Sequence, residues 1–389
     1  MSGPPSRVPL PEVVDLIATG QPLPFKVLDA MGRLLLNAGH VVQDDRQLQL
    51  LLDRGACVEH EDAQAVRAAR GQVAGVVTAL PGARRTLSWF DHWERRVWAL
   101  DGLVKALGRD AGLRPQIESF ADEQIALVDR YPDAALFLCT RQDDRRFALY
   151  PLTHALHCAT VALLTARQLG WPAERQRTVV RAALTMNASV AELQARMAEQ
   201  SDPPTKRQID QIRGHPEASV ALLRASGVDD EDWLVAVADH HERADGSGYP
   251  SGTPDVGETA RVLRAADQFS AKLSPRALRS AVLPQVAARQ LFQEDAGGPI
   301  AGALIKAVGI YPPGDFVRLK NGEAGVVVQR AAAGAASVVA VMISATGKPV
   351  GGAPRRDTGL PEFGIAGPWT ERTGQPRLLP EVVYGLLEP

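Results

Sequence analysis

Residues 240–250 read His-His-Glu-Arg-Ala-Asp-Gly-Ser-Gly-Tyr-Pro, and no other stretch says more about the fold and chemistry of this chain. Two adjacent imidazoles are unusual here, because the chain has 8 histidines among 389 residues. Five of them fall within one part of the chain, at His154, His157, His215, His240 and His241. Neutral imidazole is the commonest metal ligand in proteins, so clustered histidines beside carboxylates predict a metal site. Taken alone, the double histidine also fits two solvated side chains before a glycine-rich turn.

The double histidine lies within a long helical region. From Gln116 to about Leu291 apolar residues recur at intervals of three and four, the period of an amphipathic helix. Gly170 and Pro172 predict a helix end followed by a helix start, because glycine suits a C-terminal cap and proline the first turn. The pattern as a whole predicts an all-helical domain.

Short strands are predicted on both sides of this region. On the N-terminal side, Phe25–Leu28 and Arg33–Leu36 enclose an Asp…Gly turn, and residues 47–52 predict a short helix. On the C-terminal side, Asn321-Gly322 separates two β-rich runs, which is the strongest short hairpin signal. Val338–Ile343 predicts a further strand, and the segment from about residue 347 onward predicts a loose tail.

The predicted fold is mainly α, a helical bundle between a small N-terminal α+β module and a small C-terminal β domain. The predicted parts are a module over 1–60, a helical connector over 61–115, the helical domain over 116–310 and a β appendage with a tail over 311–389. Trp89, Trp93 and Trp98 recur at helical intervals in the connector, so we expect them to be core residues.

Composition narrows the class of protein. A net charge of −2 disfavours a nucleic-acid partner held by a general basic surface. Cys57, Cys139 and Cys158 stand at unrelated spacings, which fits a reducing compartment and no disulfide framework. The N-terminus lacks a signal-peptide pattern, and no apolar run approaches the length of a membrane span. We therefore expect a cytoplasmic protein.

The helical region together with residues 240–250 resembles the HD-GYP family, a branch of the HD metal-dependent phosphohydrolases. The resemblance runs from about Ala121 to Ile310 and makes the helical domain an HD-type bundle. It implies hydrolysis of cyclic di-GMP at a site with two or three metal ions, usually iron or manganese.

The resemblance carries site residues over one by one. The metal ligands it implies are His157, His215, His240, His241 and Asp267. Tyr249 belongs to the GYP signature at residues 248–250. Arg276 and Arg279 match two arginines that the family directs at ligand phosphates, and we expect both on one helix face.

The resemblance fails where the family has its HD pair. This chain has Met186 in place of the histidine, Asn187 in place of the aspartate and Val190 in place of a frequent lysine. Two further family carboxylates are replaced by Thr153 and Ser270. Asparagine offers one neutral carbonyl oxygen where a carboxylate would bridge two ions, and a thioether is a poor ligand for iron or manganese.

These losses predict at most one iron or manganese ion, held by His215, His240 and His241. The other metal position keeps only His157 and Asp267 of four ligands, so we expect hydrolysis to be very slow or lost. No metal at all, with the histidines as relics, stays open as an alternative. We consider His154 a candidate substitute ligand, Cys158 a small core residue, and Glu242 and Asp245 cap and turn residues.

Three functional hypotheses follow. The first is a degenerate HD-GYP protein that binds cyclic di-GMP or a partner. The second is an active phosphodiesterase with a reduced metal site. The third is a pure protein scaffold, in which the GYP loop contacts a diguanylate-cyclase-type protein, as the resemblance implies.

Overall fold

The computed structural model describes residues 7–29, 32, 34–42, 48, 51–52, 55–72, 88–141, 147–331, 335–370, 380–385 and 387. The chain forms two compact units. The first comprises residues 1–86 and 144–146, and the second comprises residues 87–143 and 147–389.

The first unit is a small α+β module. Its elements are β1 (Arg7–Pro9), a 3-10 helix (Leu10–Leu16), β2 (Val27–Leu28), β3 (Leu34–Leu36), β4 (Cys57–Glu59) and α1 (His60–Gln72). The four strands form an antiparallel sheet in the order β1-β4-β2-β3. Fully buried Leu10, Val13 and Val58 form part of its core. The centre of the predicted Asp…Gly turn and half of the helix predicted over 47–52 lie outside the described residues.

The second unit is mainly helical. Its helices are α2 (Trp89–Ala106), α3 (Arg114–Arg130), α4 (Pro132–Thr140), α5 (Tyr150–Gln168), α6 (Ala173–Thr185), α7 (Ala191–Glu199), α8 (Lys206–Ala225), α9 (Glu231–Asp239), α10 (Glu258–Leu273), α11 (Pro284–Glu294), α12 (Pro299–Val308) and α13 (Pro380–Tyr384). Short 3-10 turns cover Phe147–Leu149, Ala188–Val190 and Pro361–Phe363. The predicted helical region is confirmed.

Helix α5 is the centre of this unit. Because it is apolar on all sides, it is buried along most of its length, and it packs against α6, α10 and α12. With the turn before it, the helical stretch Phe147–Gln168 is long and apolar enough to cross a membrane, but 83% of its apolar window is buried inside the unit. A core helix passes the same test, so this is weak evidence for a span.

Local signals fix the helix ends as expected. Gly170 adopts a φ of 73° after α5, and Pro172 precedes the first residue of α6. At the start of α8, the Thr205 hydroxyl accepts a hydrogen bond from the Gln208 N–H, and the Gln208 side chain accepts one from the Thr205 N–H. The predicted tryptophan core is also confirmed, since Trp89, Trp93 and Trp98 are at most 7% exposed.

The C-terminal part forms an antiparallel sheet on the helical body. Its strands are β5 (Phe316–Leu319), β6 (Ala324–Gln329), β7 (Val338–Ile343), β8 (Arg355–Asp357) and β9 (Ile365–Pro368), in the order β8-β7-β6-β5-β9. One face packs against Phe137 of α4 through Phe316, Val326 and Trp369. The predicted hairpin and the strand over 338–343 are confirmed.

The predicted loose tail is wrong, because residues 355–357 and 365–368 add both edge strands of this sheet. Further on, the Tyr384 hydroxyl donates to the Val328 carbonyl at 2.7 Å. The Trp89 N–H donates to the Leu387 carbonyl at 2.8 Å, so the end of the second unit meets its first helix.

Candidate metal centre

One face of α5 carries three aligned side chains. His154 and Cys158 are four residues apart on the helix, so their side chains meet, and Sγ of Cys158 lies 3.5 Å from Nε2 of His154. Tyr150, one turn earlier, stacks on the His154 ring with the ring centroids 5.2 Å apart. His154 is 2% exposed and Cys158 is fully buried. The imidazole and the thiol on this face are therefore in contact with each other and shielded from solvent.

Asp267 of α10 lies against the same histidine. Its Oδ1 is 2.8 Å from Nε2 of His154. Burial raises the pKa of Asp267, but the hydrogen bond from His154 and the nearby imidazoles outweigh burial and hold the pKa well below the usual range. The group is thus an anion. The ligand atoms of His154, Cys158 and Asp267 all lie within 4.8 Å of one another.

A second group consists of three histidines from neighbouring elements. His215 lies within α8, His240 caps the end of α9, and His241 follows it. Their ligand atoms also lie within 4.8 Å of one another. The His240 and His241 rings are 4.1 Å apart, and each lies 5.0 Å from the His215 ring.

Buried surroundings keep these three imidazoles neutral. Burial lowers the pKa of His215 and His240, and it lowers the pKa of His241 to about 4 despite the opposing Asp267 carboxylate. Neutral imidazole is the form that binds metals, so the group needs no deprotonation at neutral pH. The Asp267 carboxylate acts on the pKa of all three, which places the two ligand groups close together.

The hydrogen bonds of this group fit a cation. Nδ1 of His215 is bonded to the Ile212 carbonyl at 2.5 Å, and Nδ1 of His240 to the Val237 carbonyl at 2.7 Å. A carbonyl only accepts, so both rings carry their proton on Nδ1 and a lone pair on Nε2. The two Nε2 atoms are nevertheless 3.1 Å apart. Two lone pairs at this distance repel unless a cation lies between them, and carbonyl bonds on the far nitrogens are the usual support of metal-binding histidines.

The loop after the double histidine closes over this group. Tyr249 stacks on His241 with ring centroids 4.6 Å apart. The buried Glu242 carboxylate accepts from the Ser251 N–H at 2.6 Å and the Gly252 N–H at 3.0 Å, so it holds the loop together. Gly248 is required by close packing, because a Cβ there would lie 2.5 Å from Glu242 backbone atoms. The Asp245 carboxylate accepts from the Ser247 N–H and hydroxyl, as expected of a turn residue.

Comparisons with known proteins agree with this geometry. Residues 136–297 match the HD domain family. The chain is 28% identical over 240 residues to a cyclic di-GMP phosphodiesterase of Pseudomonas aeruginosa, a match that covers 58% of this chain and 56% of that protein. It is 32% identical over 140 residues to the cyclic di-GMP phosphodiesterase response regulator RpfG of Xanthomonas campestris pv. campestris, covering 34% of this chain and 36% of that protein. These matches place an HD domain at residues 136–297 and support the resemblance to the HD-GYP family.

The matches are partial in length, since the aligned part spans about half of the first relative and about a third of the second. Among solved structures, an HDG"Y"P protein from Bdellovibrio bacteriovorus aligns with a TM-score of 0.48 and 12% identity, covering 77% of this chain and 97% of that chain.

The structure changes one ligand expected for an HD-GYP protein. We predicted His157, but among the described residues it belongs to neither group of potential ligands, and His154 lies against Asp267 instead. His157 directly precedes Cys158, so its side chain projects about 100° around α5 from that of the cysteine, and it does not join His154 and Cys158 beside Asp267. Its Nδ1 is buried without a hydrogen-bond partner, and burial lowers its pKa to about 3.

The segment where HD-GYP proteins carry the HD pair lies at the end of α6. Met186 is fully buried, and the buried Asn187 amide nitrogen has no hydrogen-bond partner. The following turn contacts the three-histidine group, because the Ser189 hydroxyl donates to the His215 carbonyl at 3.0 Å. Val190 is buried in this turn and offers no ligand atom. Met186 and Asn187 therefore supply a thioether and a neutral amide in this segment, where the family resemblance implies an imidazole and a carboxylate.

The predicted helical arginine pair is wrong in its local structure. Arg276 and Arg279 form a tight turn after α10, with the Arg276 N–H donating to the Arg279 carbonyl at 2.8 Å. The helix ends at Leu273 because Ser274 precedes Pro275 and takes an extended conformation. The turn brings Arg276 to the centre, where its guanidinium lies 4.5 Å from the Tyr150 ring centroid and donates to the Tyr150 hydroxyl. Arg279 is exposed and donates to the Ala271 carbonyl.

A cavity of 280 Å³ lies beside the GYP loop. Its charged and amide lining includes Glu242, Arg243, Asp245, Arg261, Arg264, Gln268, Glu294 and Asp295. The arginines face carboxylates of the same cavity, with Arg261 3.4 Å from Asp295 and Arg264 3.9 Å from Glu294. The cavity therefore has mixed charge and no strong preference for an anion.

Proposed function

We propose that this protein acts in cyclic di-GMP signalling by binding the nucleotide at a metal centre, with very slow hydrolysis or none. The observation that carries the proposal is the contrast between the two parts of the centre. The three-histidine group is complete and hydrogen-bonded for metal binding, whereas Met186 and Asn187 stand where the family resemblance places an imidazole and a bridging carboxylate.

The proposed ion in the three-histidine position is iron or manganese. Such an ion polarises a phosphate oxygen and lowers the pKa of bound water. His215, His240 and His241 would hold this ion, and their imidazoles are already neutral. Asn187 cannot supply the carboxylate that would bridge two ions, so the paired clamp on the phosphate is missing.

The proposed nucleotide contacts are Tyr249, Arg276 and Arg279. Tyr249 presents a ring on the outer side of His241. Arg276 already lies on Tyr150 beside the His154–Asp267 pair, and Arg279 is exposed one turn away. Arginine binds phosphate through charge-assisted hydrogen bonds, often two at once. Nucleotide binding would then exchange the arginine contacts with Tyr150 and Ala271 for contacts with phosphate.

Calorimetry with cyclic di-GMP in the presence of manganese tests binding. We expect the full chain to bind, and Arg276→Ala to lower the affinity by about 10- to 100-fold, since a hydrogen bond to a charged group contributes roughly 1.5–3 kcal/mol. Arg224→Ala, on the exposed end of α8 where it pairs with Glu231, is the matched control and should bind like the unaltered chain. Absence of heat, or equal affinity in all three proteins, would reject nucleotide binding at this centre.

A chromatographic turnover assay with manganese or iron tests the loss of hydrolysis. We expect no product during a period in which an intact HD-GYP phosphodiesterase consumes its substrate. Ready turnover would support the second hypothesis, an active phosphodiesterase with a reduced metal site. That hypothesis draws its support from His154 and Asp267, which keep an imidazole and a carboxylate beside the three histidines.

A partner-binding role is the remaining alternative. The GYP loop over residues 246–252 presents partly exposed side chains around Tyr249, which fits a contact with a diguanylate-cyclase-type protein. Binding of a purified diguanylate-cyclase domain that is weakened by Tyr249→Ala, in a chain that binds no nucleotide, would favour this scaffold. The three cysteines are buried and none is in a disulfide, and we propose the cytoplasm as the location.

A further inference from the structure

We propose that His154, Cys158 and Asp267 form a second metal position that selects zinc and uses the cysteine as a thiolate ligand. This inference goes beyond nucleotide binding and does not depend on it. It replaces the sequence-based expectation of a single ion, which assumed that this side of the centre had lost half of its ligands.

The direction in which the three side chains meet is the first argument. In a Cys-His-Asp proton relay, the thiol and the carboxylate bind opposite nitrogens of the ring. Here both approach the same nitrogen, since Nε2 of His154 lies 2.8 Å from Oδ1 of Asp267 and 3.5 Å from Sγ of Cys158. The distance from Sγ to Nδ1 is longer, 3.8 Å. Three donors around one point suit a cation better than a proton relay.

The separations are close to those of a zinc site. Zinc bonds of roughly 2.0–2.3 Å in a tetrahedron place neighbouring ligand atoms about 3.3–3.7 Å apart. The distance from nitrogen to sulfur is already in this range. The distance from nitrogen to oxygen, 2.8 Å, needs to open by about half an ångström when an ion replaces the direct hydrogen bond.

Charge and ligand type favour zinc over the ions proposed for the three histidines. A thiolate and a carboxylate together neutralise a divalent cation, so the buried complex carries no net charge. Soft thiolate ligands favour zinc over iron and manganese ions, whereas imidazole ligands do not distinguish zinc from iron. The three-histidine group contributes no negative charge and no sulfur. The two positions therefore differ in the metal they prefer.

An unpartnered polar group lies at the same place. The Ser270 hydroxyl is 2% exposed, lies one turn after Asp267 beside the Cys158 thiol, and makes no hydrogen bond of good geometry. A buried hydroxyl without a partner is unfavourable. A water molecule in the fourth position of a zinc ion at His154, Cys158 and Asp267 would supply a partner for this hydroxyl.

Cobalt substitution tests the thiolate ligand without any assay of activity. The metal-free full chain is titrated with Co²⁺, and the absorption spectrum is recorded. We expect a near-ultraviolet band from sulfur-to-cobalt charge transfer that saturates at one cobalt per chain, and we expect added Zn²⁺ to bleach it. The three-histidine position contributes no such band, so the signal belongs to the cysteine site.

Cysteine variants assign the band. Cys158→Ser should lose it and bind one fewer metal ion per chain by elemental analysis, while Cys139→Ser, at another buried cysteine, should keep both. Should Cys158→Ser fail to fold, the double variant Cys57→Ser/Cys139→Ser assigns the band to Cys158 by elimination. No charge-transfer band in the unaltered chain, or a band that survives in folded Cys158→Ser, would overturn the zinc position and leave the proposed nucleotide binding untouched.

Discussion

His240 is buried at the end of α9 with its outer nitrogen bonded to a backbone carbonyl and its inner nitrogen 3.1 Å from that of His215. Both imidazoles are neutral there, because burial and the neighbouring imidazoles lower the pKa of His240. In the absence of an ion, the lone pairs on Nε2 of His215 and Nε2 of His240 repel each other. The stability of the second unit should therefore depend on metal.

Removal of metal should destabilise the protein. A ligand present at about 100 times its dissociation constant stabilises the folded state by about 2.7 kcal/mol, which corresponds to roughly 4 °C in the melting temperature of a unit of this size. We expect a chelator to lower the melting temperature of the metal-loaded chain by this order. In His240→Ala the shift should shrink to what the ion proposed at His154, Cys158 and Asp267 contributes; an unchanged shift in that variant would contradict metal binding at the three histidines.

Restoring the HD pair should increase metal binding. In Met186→His/Asn187→Asp, an imidazole and a carboxylate replace a thioether and an unpartnered amide at the end of α6. We expect more bound manganese per chain by elemental analysis. Without metal, we expect a lower melting temperature, since the new polar groups are buried. Met197→His, at a partly exposed methionine of α7, is the control and should change neither quantity.

At the scale of elements, the periodic spacing of apolar residues predicted the helices, and turn residues predicted where helices and strands end. The periodic apolar pattern was sufficient to predict the helical region, and the Asn-Gly turn predicted the β5–β6 hairpin. The structure brings His154 of α5 against Asp267, where the sequence predicted His157, because motif spacing does not say which face of a helix meets α10. Pro275 carried the signal that α10 ends before the arginines, and the short edge strands of the tail had too few alternating residues to be recognised.

The GYP loop should be sensitive to one added methyl group. A Cβ at position 248 would lie 2.5 Å from the Glu242 and Arg243 backbone, so Gly248→Ala should displace the loop, lower the melting temperature and weaken any ligand that contacts Tyr249. Gly302→Ala in the middle of α12 is the opposite control. Its Cβ has no atom within 4 Å, and we expect it to stabilise by about 0.5–1 kcal/mol. Equal melting temperatures for the two variants would contradict the packing described for the loop.

At the scale of the whole molecule, the two units can be followed separately. All 6 tryptophans lie between residues 89 and 369, so tryptophan fluorescence reports the unfolding of the second unit alone. The mainly α fold with a small sheet at each end was predictable from composition and periodicity. The return of the C-terminal residues to α2 was not, because a backbone contact between residues 89 and 387 leaves no pattern in the side chains.

Unfolding of the second unit should depend on pH through Asp315, just before β5. Burial raises its pKa to about 7, although the Gln285 amide, the Phe316 N–H and Arg141 oppose this. The folded state therefore keeps a proton that the unfolded state releases near pH 4. This contribution to stability is complete below about pH 4 and is lost as pH rises to about 7, a change on the order of 4 kcal/mol.

Asp315→Asn removes this titration and keeps the shape of the side chain. Urea unfolding followed by tryptophan fluorescence at pH 5 and pH 8 should show that the variant gains stability relative to the unaltered chain at the higher pH. Asp357→Asn, at the exposed last residue of β8, is the control, and its difference from the unaltered chain should be the same at both values. A constant difference for Asp315→Asn as well would show that its carboxyl is already ionised in the folded state.

The hydrogen bond between the Trp89 N–H and the Leu387 carbonyl has a consequence for synthesis on the ribosome. The tunnel of the ribosome holds the most recently added residues, so β9 and α13 emerge after the whole helical body. Until then, Phe137 and the apolar face of the central strands lack the cover that Trp369 and Val383 provide. The nascent chain thus exposes this apolar sheet face from the emergence of β5–β7 until β9 and α13 follow, and this surface is where a chaperone would bind before the unit closes.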